Sequence, residues 1–303
     1  MRNIYLCSII MLFSILLYSG EAWSNQIAGY RSLKSHEREF LVDLFKDSNI
    51  DKQLIFTVFN SRRLKKIPIV IRKNVNNVEN KDNYQDFLSR YSMYLAYRFS
   101  KKWRNILNQA SQQFDVDKEV LVAILLVETG LGNVLGKYPI ISVFSSIILE
   151  NHQVTKDLKA NKKYNSEYQL NRLSEKASWA RRELESLLRI ASTTDLNLFK
   201  LRGSFAGAFG IPQFLPSSYL KWGIDSDKNG VVNLFTFPDA IHSTANYLKA
   251  HGWKKGLYQK SNKKVIWLYN HSHIYVDTIF RIAAKIKNHE CKKDQKDCDK
   301  RPI

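Results

Sequence analysis

The stretch LVAILLVETGLG, residues 121–132, closes an apolar run with a single carboxylate, Glu128. The seven residues before it are all apolar, so a helix made from them is greasy on every side, and Thr129-Gly130 then ends it. An ionised carboxylate in such surroundings is expensive unless it is paired, and the usual escape is a raised pKa. In the last helical turn the macrodipole presents partial negative charge, which disfavours ionisation further. Both effects tune Glu128 toward a general acid that keeps its proton near neutral pH. The structural alternative is a glutamate that snorkels outward or pairs with a nearby arginine.

A second stretch, GSFAGAFGIPQFLPSSY at residues 203–219, strips side chains from Gly203, Ala206, Gly207, Ala208 and Gly210. Such a run lets backbone approach a flat ligand or a neighbouring element. Gln213 sits between small residues and aromatics, with an amide that both donates and accepts. Apolar faces with a few placed amides and hydroxyls suit a sugar polymer; a turn that merely packs tightly is the plainer reading. A third stretch, DSDKNGVVNLF, has the oxygen spacing of an EF-hand loop at Asp225, Asp227, Asn229 and the carbonyl of Val231, with Gly230 at the sixth position. Its twelfth position is Thr236, which lacks the usual bidentate carboxylate, and a loop held by local Asx turns is the alternative.

These residues need a scaffold, and the pattern is mostly helical. Residues 36–60 read as a short helical pair broken at Asp47-Ser48-Asn49. Residues 64–83, with Pro68, β-branched residues and an Asn-rich run, read as an extended arm. A long helix is expected from Tyr84 to Phe114. Asp115 and Asp117 are N-cap candidates for the greasy helix, with Glu119 in its first turn. The polar, Lys/Asn-rich residues 150–178 read as an exposed insertion or lid. ASWARRELESLLRIAS resumes an amphipathic helix. After Pro238 another helix carries a core stripe of Ala240, Ile241, Thr244, Ala245 and Leu248, with Gly252 just past its end. A final helix is expected over Tyr275–Lys287.

VETGLGNVLGKYPI, GSFAGAFGIPQFLPSSY, DSDKNGVVNLF and ANYLKAHGW occur in one order at close spacing. Together they resemble the lytic murein transglycosylase B family of exported enzymes, strongly over residues 114–149 and 179–256. The resemblance implies a mainly α (α+β) fold with a lysozyme-like core, a helical N-terminal subdomain and a small EF-hand-like cation loop. It makes Glu128 the catalytic acid and Ser204 a hydroxyl that hydrogen-bonds near it. Gln213, Tyr247, Tyr269, Asn270 and Tyr275 become substrate-binding residues of a saccharide cleft, while Asn246 is structural. Asp239 stands where the family supplies the missing carboxylate of the cation loop, completing a set of Asp225, Asp227, Asn229, Val231 and Asp239 for a structural calcium. Two features depart from the family: an Arg-Arg pair is displaced by the 150–178 stretch, so that Arg181-Arg182 is not a secure equivalent, and the N-terminal cleft aromatics are assigned only to Phe87 or Tyr91.

With 303 residues, 44% of them hydrophobic, the chain has ample material for a core. Residues 1–24 read as a signal peptide: Arg2, an uncharged apolar stretch from Ile4 to Tyr18, then Ala22-Trp23-Ser24. Residues 25–100 are assigned to a helical N-terminal region, 101–290 to the catalytic domain and 291–303 to a basic tail. Without the leader the remaining cysteines are Cys291 and Cys298, which in an exported protein read as a disulfide closing a small loop. The formal charge of +19 is spread along the chain, and no nucleic-acid motif accompanies it. Polyanionic wall material and peripheral contact with anionic membrane surfaces suit it better. The expectation is a monomeric, periplasmic, wall-associated enzyme. Needing no catalytic cofactor, it cleaves glycan strands between N-acetylmuramic acid and N-acetylglucosamine and leaves 1,6-anhydro ends. A hydrolytic muramidase and a non-catalytic wall-binding module are the alternatives.

Overall fold

The computed structural model describes residues 29–76, 81–156, 167–256 and 260–298; the expected signal peptide and the end of the basic tail lie outside them. Strand β1 (Arg31–Ser32) leads into helices α1 (Ser35–Phe45) and α2 (Lys52–Asn60). The break expected at Asp47-Ser48-Asn49 falls between them, and the Asp51 carboxylate caps α2 by accepting from Leu54 N at 2.7 Å. Strand β2 (Lys65–Lys66) pairs antiparallel with β1, Arg31 opposite Lys66 and Ser32 opposite Lys65.

The extended arm expected over residues 64–83 is mostly helical instead. Pro68 opens α3 (Pro68–Asn76), whose buried residues Val70, Ile71, Asn74 and Val75 fall on one face. Asparagine content misleads here, because an apolar stripe with a surface to cover outweighs local propensity. The long helix expected over residues 84–114 forms as three pieces: a 3-10 helix (Lys81–Leu88), α4 (Arg90–Lys102) and α5 (Arg104–Phe114). The break between α4 and α5 lies at Trp103, at φ −103° and ψ 20°.

Helix α6 (Lys118–Thr129) is the centre of the molecule, buried at every position from Val120 to Thr129. It packs against α4, α5 and two helices that follow it in the chain. Asp115 ends α5 in the left-handed conformation, so of the two N-cap candidates Asp117 holds the position. Its carboxylate caps no helical N–H. It accepts from the indole of Trp253 at 3.0 Å and from Gly256 N at 2.9 Å. Gly130, at φ 58°, terminates the helix, with Gly130 N bonded to Leu126 O and Leu131 N to Leu125 O.

Strand β3 (Tyr138–Pro139) precedes α7 (Ile140–Lys156); α8 (Glu167–Thr193) and β4 (Arg202–Gly203) follow. β3 and β4 pair antiparallel, Tyr138 opposite Gly203. Of the exposed insertion expected over residues 150–178, residues 157–166 lie outside the described residues, and the rest belongs to these two helices. Glu150, Val154, Leu173, Lys176 and Ala177 are all buried, and α7 packs on α3, α8 and β2. The polar composition misleads because part of it is internally satisfied: Lys66 Nζ lies 2.9 Å from Glu150 Oε2, with both side chains buried.

The chain closes with α9 (Pro216–Trp222), α10 (Phe237–Ala250), α11 (Lys260–Tyr269) and α12 (His273–Cys298). The expected stripe of α10 is buried throughout, and Gly252 follows it at φ 90°. Helix α12 runs past the expected Lys287. Cys291 and Cys298 both lie on it, their side chains outside the described residues. Seven residues of helical rise separate their backbones by about 10 Å, and a disulfide spans Cα atoms at most about 7 Å apart. An intrachain bridge and a helix continuing to Cys298 therefore exclude each other.

Candidate active site

Glu128 sits in the last turn of α6, 7% exposed, at the wall of a pocket. The other walls come from four parts of the chain. The 203–219 segment supplies Ala206, Gln213, Phe214, Leu215 and Ser218; α10 supplies Tyr247; the end of α11 and the turn beyond it supply Leu268, Tyr269, Asn270 and His271; α8 supplies Trp179. Burial pushes the Glu128 carboxyl up to about 8, with a hydrogen bond from Tyr275 pulling the other way. That bond runs from the Tyr275 hydroxyl to Glu128 Oε1 at 2.6 Å. Burial raises the Tyr275 hydroxyl well above its ordinary pKa too, as does the neighbouring Glu128, so it remains a donor. The greasy helix thus sets Glu128 where burial favours the protonated carboxyl.

The 203–219 segment is fastened to α6 through the residue beside the acid. Thr129 Oγ1 donates to Ile211 O at 2.9 Å and accepts from Gly132 N at 3.0 Å. The glycines of this segment face protein. A Cβ at Gly207 would lie 2.2 Å from the Phe144 ring, and one at Gly210 would lie 2.5 Å from Leu234 Cβ, both at positive φ. The plainer reading of those glycines holds, and only Ala206 of the small residues lines the pocket. The next turn of the wall is fixed from α8: the Glu183 carboxylate accepts from Ser217 N at 3.0 Å and Ser217 Oγ at 2.9 Å at the start of α9.

Of the substrate-binding residues expected from sequence, Gln213, Tyr247, Tyr269 and Asn270 line the pocket with Glu128. Tyr247 and Tyr269 meet edge to face at 4.8 Å, and their hydroxyls are committed to backbone, Tyr247 to Leu268 O and Tyr269 to Pro212 O. Their rings, not their hydroxyls, are what the cavity meets. Tyr275 differs from its expected place as a cleft wall. It is 1% exposed, stacks on Tyr269 at 6.4 Å and acts on Glu128 from behind. Ser204 is also placed otherwise: its hydroxyl accepts from Ala206 N at 3.3 Å and Ala208 N at 3.1 Å, bracing the loop. Among the described residues no hydrogen bond joins Ser204 to Glu128. Phe87 is buried and Tyr91 exposed, and neither belongs to the pocket wall. Arg181 reaches back to Leu44 O from the exposed side of α8.

Sequence reasoning missed Trp179, inside the quoted helix ASWARRELESLLRIAS. Its indole nitrogen is buried without a hydrogen-bond partner, and the same holds for Gln213 Oε1 and Asn270 Oδ1. All three residues line this pocket. Buried polar atoms are nearly always satisfied, so three orphans around one cavity mark a place for a polar ligand.

The 225–239 loop brings its acidic residues together. Carboxylate oxygens of Asp225, Asp227 and Asp239 converge to within 4.8 Å of one another. Asp239, fully buried in the first turn of α10, accepts from Ser226 N, Ser226 Oγ and Asn233 N. Asp225 accepts from Gly230 N, and Asn229 Oδ1 from Val231 N. Three hard oxygen donors within this span fit a calcium ion, although the local hydrogen bonds already hold the loop's shape.

Residues 34–261 match the transglycosylase SLT domain family, SLT_2. The chain belongs to that family. Over 158 residues it is 37% identical to the membrane-bound lytic murein transglycosylase B of Escherichia coli (strain K12), a match covering 52% of this chain and 38% of that protein. The match thus spans well under half of the relative's length. Two solved structures of similar shape are the E. coli lytic transglycosylase Slt35 in complex with calcium and SltB3 from Pseudomonas aeruginosa in complex with NAG-anhNAM-pentapeptide. The first gives a TM-score of 0.67 at 23% identity, covering 84% of this chain and 93% of that one. The second gives 0.68 at 19%, covering 83% and 79%. The largely helical, lysozyme-like architecture of these transglycosylases is therefore the fold of this chain.

Proposed function

We propose that the protein is a peptidoglycan lytic transglycosylase in which Glu128 serves both proton-transfer steps. The observation that carries this reading is the buried Glu128, its carboxyl pushed up to about 8, at a pocket whose wall contains no other carboxylate among the described residues. Most glycosidases that use water or a nucleophile place a second carboxylate near the first. A single carboxylate favours an attacking group supplied by the substrate. The muramyl 6-hydroxyl fills that role. Glu128 protonates the glycosidic oxygen, the bond from that oxygen to the anomeric carbon breaks, and N-acetylglucosamine leaves with a free 4-hydroxyl. The 6-oxygen bonds to the anomeric carbon, and the Glu128 carboxylate takes the 6-hydroxyl proton. The product is a 1,6-anhydromuramyl end, and the acid returns to its starting state.

Tyr275 has a defined part in this cycle. It occupies Oε1, leaving Oε2 to carry the transferable proton, and it supports the carboxylate formed midway. The rings of Tyr247 and Tyr269 offer apolar surface to pyranose faces, and Trp179, Gln213 and Asn270 have unmatched polar atoms for hydroxyl or acetamido groups. Asp225, Asp227, Asn229, the Val231 carbonyl and Asp239 hold a structural calcium that pins the loop to α10, away from the chemistry. The protein acts at the cell wall after export; among the described residues no helix is long and apolar enough to cross a membrane.

Purified sacculi incubated with the protein test the reading by mass spectrometry of the released fragments. Anhydromuramyl ends are expected. Reducing ends would make the enzyme a hydrolase, and binding without release would make it a wall-binding module.

A further inference from the structure

Helix α4 carries a feature that the pocket does not use. Met93, Ala96, Phe99 and Ser100 form its buried face. Across the helix stand Tyr91, Tyr94, Arg98, Lys101 and Lys102, all exposed. Tyr91 is 67% and Tyr94 52% exposed, which for large rings one turn apart is unusual. The Arg98 guanidinium lies 5.6 Å from the centre of the Tyr94 ring, so the cation and the ring share one patch.

The charge along this helix has one sign, and the nearest preceding acid, Asp86, lies on the 3-10 helix before it. From Arg90 to Phe114 the chain holds five basic residues, Arg90, Arg98, Lys101, Lys102 and Arg104, and no acidic one. Helix α12 runs alongside and contributes Lys285 beside Tyr94 and Tyr97. Two acids of α12 are turned to other partners, Glu290 to Lys118 and Asp277 to Lys263.

We infer that the Tyr91–Tyr94–Arg98–Lys101 face of α4 docks the enzyme on an anionic phospholipid surface. Tyrosine rings settle at headgroup depth, with an apolar body and a polar tip. Basic side chains beside them are drawn to the negative surface, and an array along one helix meets a plane in a single orientation. Charge complementarity and the paired tyrosines favour the bilayer over a glycan strand, which needs a cleft to be gripped. The inference uses no residue of the pocket, so it stands or falls separately from the catalytic reading.

The test is co-sedimentation of the full chain at physiological salt with vesicles of phosphatidylethanolamine and phosphatidylglycerol, against vesicles of phosphatidylcholine alone. Binding to the anionic vesicles only is expected. Each basic residue near such a surface contributes about fivefold in partitioning. Arg98→Glu with Lys101→Glu should thus weaken binding by at least about 25-fold, and Tyr91→Ser with Tyr94→Ser should weaken it as well. Arg62→Glu with Arg63→Glu, an equal charge change on exposed residues elsewhere, should bind nearly as the parent does. All these positions are exposed, and matching melting temperatures confirm folding; if the Arg98/Lys101 pair melts early, Arg98→Gln with Lys101→Gln replaces it. Absence of vesicle binding, an equal loss in the Arg62/Arg63 variant, or loss of sacculus binding with vesicle binding intact would each overturn the inference.

Discussion

The Tyr275 hydroxyl, buried and outside the pocket wall, donates to Glu128 Oε1 at 2.6 Å, joining the last helix to the central one. The contact favours the charged form of a carboxyl that burial otherwise keeps neutral. Tyr275→Phe removes that support, so the Glu128 pKa should move further above about 8 and the alkaline limb of the rate profile should shift to higher pH. A hydrogen bond to a charged group contributes about 1.5–3 kcal/mol, so turnover should fall by about 10- to 100-fold. A pH–rate profile checks both; an alkaline limb moving downward would assign Tyr275 another role.

Glu128 also fixes a pH dependence of stability. Its folded pKa is about 8, well above that of an unfolded glutamate near 4.5. Below 4.5 both states hold the proton and no difference arises. Between the two values the unfolded chain releases a proton that the folded one keeps, so stability falls by about 1.4 kcal/mol per pH unit. Glu128→Gln removes this slope, and the variant should melt above wild type by a margin that widens from pH 5 to pH 8. Parallel melting curves across that range would contradict the assigned burial.

Much of this site was legible because its pieces are contiguous in the chain. Seven apolar residues before Glu128 announce a helix with no solvent face, and the turn from Ala206 to Ser218 supplies one wall in sequence order. What was not legible depends on partners remote in sequence. Tyr275 lies 147 residues from the acid it serves. Nothing local in its segment distinguishes a ring behind the carboxyl from one lining the cleft. Ser204 has neighbours suited to a site, yet its hydroxyl turns onto its own loop. Helix α3 and the buried positions at the two ends of the 150–178 stretch went unread for one reason. Lysine and asparagine content implies solvent, whereas the Lys66–Glu150 pair and the covered face of α3 are visible only once α7 is in place.

That pair makes its own prediction. Lys66 and Glu150 are both buried and 2.9 Å apart. Glu150→Ala leaves the ammonium with Gln153 Oε1 at 3.2 Å but without its paired carboxylate, and removing one partner of a buried ion pair costs about 3–5 kcal/mol. Glu150→Leu with Lys66→Met should recover most of the loss. Denaturant titration of the three chains checks the order; a single mutant as stable as wild type would mean the pair is solvated.

Calcium should raise the melting temperature through the loop of Asp225, Asp227 and Asp239. Binding to the folded state alone contributes about 2.7 kcal/mol at a hundredfold excess over Kd. Asp227→Ala should erase the shift and leave activity at low temperature largely intact, because the loop lies outside the pocket wall. Melting curves unchanged across millimolar calcium would make the loop a turn held by its own hydrogen bonds.

The central claim is that Glu128 carries the proton for bond cleavage, and the direct measurement is the rate of sacculus solubilisation by Glu128→Gln beside wild type. Glutamine keeps the size and the contact with Tyr275 but has no transferable proton. A positioned acid–base group contributes about 10²–10⁴-fold, and one residue serving both steps places the loss at or beyond the upper end. The account expects a folded variant, melting at or above wild type at pH 7, that still binds sacculi and releases fragments about ten-thousandfold or more slowly. A folded variant that solubilises sacculi within tenfold of wild type would contradict it.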